Sequence, residues 1–116
     1  MLFTLADARP DGLLVVQYPY FEREEPLVLD EPGTYVATEA TFTHTVTHEW
    51  NHGLAEVITA VMDAGLRLIA IEEHDTIPWE ALSGQTENLS NGEWRLPHGP
   101  DRVAMSYTLQ AVKPGV

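Results

Sequence analysis

The sequence predicts an α+β chain, on three observations: residues 40–50 alternate with period two, the next stretch changes to a helical period, and strand-like runs follow near 66–74 and 103–113. Successive side chains of a strand point to opposite faces, whereas a helix returns to one face every three to four residues. One helical stretch among several extended ones gives a mostly antiparallel sheet packed against one long helix.

The elements follow in chain order. Leu13 to Tyr20 (LLVVQYPY) is apolar and rich in β-branched and aromatic residues, and reads as a buried strand that Pro19 ends or leaves at an edge. Residues 22–33 (EREEPLVLDEPG) are acidic, hold two prolines and close on Glu31-Pro32-Gly33, so they read as a loop. In ATFTHTVTHEW, Ala40 to Trp50, one face carries Phe42, His44, Val46, His48 and Trp50. The other carries Thr41, Thr43, Thr45, Thr47 and Glu49, the pattern of a half-buried strand.

Leu54, Val57, Ile58, Val61 and Met62 then form one stripe of an amphipathic helix from about His52 to Ala64. Asn51 is the expected N-cap, and Gly65 the expected left-handed residue at the far end. Leu66 to His74 (LRLIAIEEH) has aliphatics on both faces and reads as a strand covered on both sides. Residues 75–102 hold Pro78, Gly84, Asn91-Gly92, Pro97, Gly99 and Pro100 and read as a long connection. Val103 to Lys113 alternates again and closes the chain as a strand.

Composition narrows the function classes. The 116 residues carry 18 Asp and Glu against 6 Lys and Arg, a formal net charge of −12. Such a surface repels phosphate backbones and anionic lipid heads, which argues against nucleic-acid or membrane-surface binding. No apolar run is long enough for a membrane span, and the amino terminus lacks the features of a secretory signal. The lack of cysteine removes thiolate metal sites and cysteine nucleophiles and fits a cytoplasmic protein.

Residues 48–52, HEWNH, match the H-E-x-x-H pattern of zinc proteases. That chemistry needs both histidines one turn apart on a helix, each about 2 Å from a shared ion. Here His48 closes the alternating strand and His52 opens the helix. Along a strand, residues four apart are separated by roughly 13 Å. A metal-dependent hydrolase built on His48, Glu49 and His52 is therefore a remote alternative, and no metal site is expected.

From Tyr18 onward, YPYF (18–21), DEPGTY (30–35), HEWNHGLAEVITAVMDAGLRL (48–68), EEHDTIPW (72–79), GEWRLP (92–97) and SYTLQAVKP (106–114) carry a resemblance. In order and spacing they resemble the C-terminal half of a class I, Rossmann-like S-adenosylmethionine-dependent methyltransferase of the actinobacterial small-molecule type. The resemblance implies a single partial domain: lid-like insertion strands over 1–50, the last helix at 51–65, and the last two strands and a long loop over 66–114. It implies that the family's seventh strand is antiparallel to its neighbours. No stretch matches the family's glycine-rich turn or the acidic residue of its second strand. S-adenosylmethionine thus serves the complete family enzyme, and no cofactor-binding residue is expected in this chain.

The insertion covers the acceptor side in that family, so the resemblance makes Tyr18, Tyr20, Tyr35, His48, Trp50 and His52 candidates to line an acceptor pocket. The same residues read equally as packing aromatics and a helix cap. A half-sheet also leaves an exposed strand edge, which implies a homo-oligomer or a complex with a separate N-terminal methyltransferase half. A non-enzymatic oligomeric binding or assembly module on the same scaffold is the alternative.

Overall fold

The computed structural model describes residues 2–34 and 36–115. Its seven strands are β1 (Leu27–Asp30), β2 (Val46–Glu49), β3 (Arg67–His74), β4 (Thr76–Ile77), β5 (Glu87–Asn88), β6 (Trp94–Arg95) and β7 (Ser106–Val112). One α-helix, α1 (Leu54–Asp63), lies between β2 and β3, and a short 3-10 turn occupies Leu2–Thr4. All pairings are antiparallel and form three pieces: a β1–β2 hairpin, a β3–β7 ribbon, and a small sheet in the order β4–β6–β5. The chain is α+β, with one helix and antiparallel sheets.

The helix forms where the apolar stripe requires it, though its start differs from the expected one. Gly53, not Asn51, is the N-cap. Its N–H donates to the Glu56 carboxylate at 2.6 Å, which is the reciprocal half of a capping box. At the far end Gly65 adopts φ +78°, and its N–H reaches the carbonyl of Met62 at 2.9 Å. That left-handed glycine stops the helix, as expected, and turns the chain into β3.

The ribbon is the longest ladder, running from Arg67 opposite Val112 to His74 opposite Ser106, with a bulge between Leu68 and Ala70. The strand expected over 66–74 is present, but it is not covered on both faces. Ile69 is 53% exposed and Ile71 39%, because β7 is its only strand neighbour among the described residues and α1 is the helix beside it. The helix stripe is likewise half-buried, and Met62 at its end stands 58% exposed.

The core lies elsewhere. Leu2, Ala6, Ile77, Leu82, Leu96 and Met105 form the buried cluster, flanked by Phe3, Leu14, Trp79, Ala81, Trp94 and Val103. The amino-terminal turn and the 75–105 segment thus supply it, and neither α1 nor β3 does. What reads as a long connection holds three two-residue strands and the most buried side chains of the described chain. Strands that short leave no periodicity to detect.

Three further expectations are corrected. Leu13 to Tyr20 forms no strand; it is an extended crossing, mostly exposed, held where Gln17 and Tyr18 donate their N–H groups to the carbonyl of Leu5. The 22–33 loop contains β1, with Leu27 and Leu29 turned inward after Pro26. Ordered pairing in the 40–50 strand is confined to β2, where Glu49 faces Leu27 and Val46 faces Asp30. Its apolar face is not buried: Val46 is 55% exposed, and Val28 on the facing strand is 60% exposed.

Candidate functional site

Four residues, Trp50 to Gly53, connect β2 to α1, and their contacts tie together three distant segments. The Asn51 amide donates one hydrogen to the carbonyl of Thr4 at 2.8 Å and the other to that of Pro19 at 2.9 Å. Asn51 is therefore a bracket between the amino-terminal turn and the 18–20 crossing, not a helix cap. The Tyr20 hydroxyl takes over part of the capping role, accepting the Leu54 N–H at 2.8 Å. Its ring lies against Gly53, where a Cβ would come within 3.0 Å of Tyr20 Cε1. Any larger residue at 53 would have to push that ring aside at the helix entrance.

This arrangement opens a cleft of about 390 Å³ beside the helix start. Tyr20, Trp50 and His52 line it with Leu54 and Val57 of α1. Phe3, Trp79 and Tyr107 belong to the same lining. Phe3 and Trp79 meet edge to face, with ring centres 5.0 Å apart. Neither lysine nor arginine lines the cleft.

A second cleft, of about 590 Å³, lies under the β1–β2 hairpin and shares Phe3, Thr4, Asn51 and Trp79 with the first. Its character differs, because Asp7, Glu31, Glu49 and Glu80 bring four carboxylates to its lining. Tyr18 belongs here. Its hydroxyl donates to the Asp7 carboxylate at 2.5 Å, and Gln17 donates to the same oxygen at 3.0 Å. That hydrogen bond, then burial, then the charges of Asp7 and Glu31, push the Tyr18 hydroxyl up to about 12.

A phenol whose pKa is higher in the folded than in the unfolded chain stabilises the fold below its unfolded value. The contribution is complete below about pH 10 and is lost as pH rises toward 12. Urea melts of the wild type and of Tyr18→Phe should therefore differ by about 1.5 kcal/mol at pH 8 and converge by pH 12. A difference unchanged across that range would mean that Asp7 does not hold the phenolic proton.

Of the six sequence-derived candidates, Tyr20, Trp50 and His52 share the first cleft and Tyr18 lines the second. His48 stands exposed on β2 and lines neither, and Tyr35 lies outside the described residues. The zinc-protease geometry is not met. His48 and Glu49 are on a strand and His52 precedes the helix, so no single helical face presents the two histidines. His52 instead faces Glu22, Nδ1 to Oε2 at 3.5 Å, with Glu56 close by; the ligand-capable atoms of these three lie within 4.8 Å of one another.

Phe3, Trp79 and Tyr107 were not legible as lining residues. Trp79 sits inside the EEHDTIPW stretch, where its position after Pro78 in a segment without periodicity was the available signal. Phe3 offers none, because its place depends on the Asn51 bracket. Comparison of the chain with family models, curated proteins and solved structures finds no match. Among the described residues no helix is long and apolar enough to cross a membrane.

Proposed function

We propose that the chain is the C-terminal portion of an S-adenosylmethionine-dependent methyltransferase that acts on a small molecule, and that it supplies the acceptor side of the site without being catalytic alone. The observation that carries this reading is the gathering of Tyr20, Trp50 and His52, three of the residues the resemblance points to, around one aromatic cleft. The order α1, β3, long segment, β7, with β7 antiparallel to β3, agrees with the family's last elements. The Rossmann-like assignment, the Tyr18 and His48 candidacies and a cytoplasmic location belong to the same proposal.

Titration calorimetry tests it. The isolated chain should bind no adenosylmethionine, and a chimera with a glycine-rich class I cofactor half placed ahead of Met1 should bind it and pass a labelled methyl group to a small-molecule acceptor. Tight cofactor binding by the isolated chain would overturn the division of labour. A cofactor-loaded chimera that methylates nothing in a broad acceptor panel would overturn the methyltransferase reading.

A second reading, an oligomeric binding module without catalysis, is favoured by the exposed surface. The chain presents 8430 Å², whereas a compact monomer of its mass would expose about 6,300 Å². On that reading the first cleft binds its ligand with no cofactor half present.

A further inference from the structure

We propose that the cleft lined by Phe3, Tyr20, Trp50, Trp79 and Tyr107 binds a small organic cation, an ammonium carried on an apolar body, with Glu22 and Glu56, beside the lining His52, as the counter-charge. The inference deepens the acceptor reading and rests on it only for the fate of the bound molecule; the binding stands on the composition of the cleft.

Three observations converge. The first is the ring content: five aromatic side chains line one cleft of about 390 Å³, and aromatic faces attract cations through their quadrupoles. The second is charge. No lysine or arginine lines the cleft, and its one histidine, His52, already faces Glu22, so a carboxylate or phosphate would meet no unpaired cation. Glu22 and Glu56 converge beside His52, which lines the cleft, and the whole chain carries −12. The third is the state of the polar groups. Both amide hydrogens of Asn51 are spent on Thr4 and Pro19, and the Ser106 hydroxyl donates to the carbonyl of Thr76 at 2.7 Å. The Tyr20 hydroxyl oxygen already accepts the Leu54 N–H. These groups are thus occupied, and the aromatic rings make up much of the remaining lining.

A metal ion is the weaker occupant for the same carboxylates. A metal needs several ligand atoms at once, and one Glu56 oxygen is already bound to the Gly53 N–H.

The test follows the indole N–H resonances of the three tryptophans in the intact chain during titration with choline, with its neutral isostere 3,3-dimethylbutan-1-ol, and with 3,3-dimethylbutanoate. Choline should bind about tenfold tighter than the alcohol, moving the Trp50 and Trp79 signals, and the anion should not bind. Glu22→Gln should weaken choline several-fold and leave the alcohol unchanged, and Trp50→Ala should weaken both. Equal or tighter binding of the alcohol, binding of the anion, or no response to any probe would overturn the proposal. So would stoichiometric binding of Mn²⁺ or Zn²⁺ that displaces choline. Charge selectivity in a chain whose chimera transfers no methyl group would sink the methyltransferase reading and leave this one standing; loss of selectivity in an active chimera would do the reverse.

Discussion

Ile77→Ala is expected to cost about 2–5 kcal/mol, enough to lower the melting temperature by about 10 °C or more, whereas Met62→Ala should cost less than about 0.5 kcal/mol. Ile77 is fully buried, as are Leu82 and Met105 in the same cluster, which holds six buried hydrophobic residues among those described. Removing its side chain leaves a cavity that β4 cannot close without breaking its two-residue pairing with β6. A domain of this size has about 6–17 kcal/mol of stability in total, so the change takes a large share of it. Met62 sits 58% exposed at the end of the α1 stripe, and alanine is the better helix former. Urea melts at submicromolar concentration, below any self-association, give both numbers. Equal costs for the two substitutions would mean that the core lies under the helix and not in the 75–105 segment.

That contrast shows what was legible in the sequence. Regular elements announce themselves through period: the stripe from Leu54 to Met62, the stop at Gly65, and the strands now seen as β3 and β7 are all read directly. Burial is not announced in the same way. The stripe predicts which face of α1 turns inward, but whether anything covers that face depends on how much chain is available to cover it. The threonine-rich run before Trp50 shows the same limit. Its alternation is real, yet Val46 on the apolar face is exposed while Thr45 and Thr47 on the other line the second cleft. Conversely, the core residues Ile77, Leu82 and Leu96 lie among prolines, glycines and two-residue strands, where no period exists to mark them.

The site was half legible for a related reason. Tyr20, Trp50 and His52 are near one another because β2 leads directly into α1 and the 18–20 crossing is fastened to that junction. Local sequence implies the first of these facts. The second depends on Asn51 reaching carbonyls 47 and 32 residues away, which no spacing rule foresees. Asparagine before a helix is most simply an N-cap, and a distant tyrosine hydroxyl doing part of that work is visible only in three dimensions.

Sedimentation of the purified chain should show a dimer or larger assembly at micromolar concentration, and Ile71→Glu should shift it to monomer with at least about a hundredfold loss of association. The radius of gyration is 16.4 Å where a compact chain of this length would have about 13 Å. The surface exceeds that of a compact monomer by about 2,100 Å². A stable interface takes about 800 Å² from each partner, so the excess is ample for one. Its location is marked by β3, whose outer edge has no strand neighbour among the described residues and whose Ile69 and Ile71 stand in solvent. An unpaired edge with aliphatics beside it is a template for another strand, and a glutamate there would have to be desolvated without a cation. Val28 and Val46 on the hairpin extend the same need for cover. If a second copy is the occupant, the association appears in the pure chain. If the natural occupant is a separate cofactor-binding half, adding that half should dissolve the self-association, and Ile71→Glu should block both. A compact monomer at micromolar concentration, or an Ile71→Glu chain that still associates, would remove β3 as the joining edge.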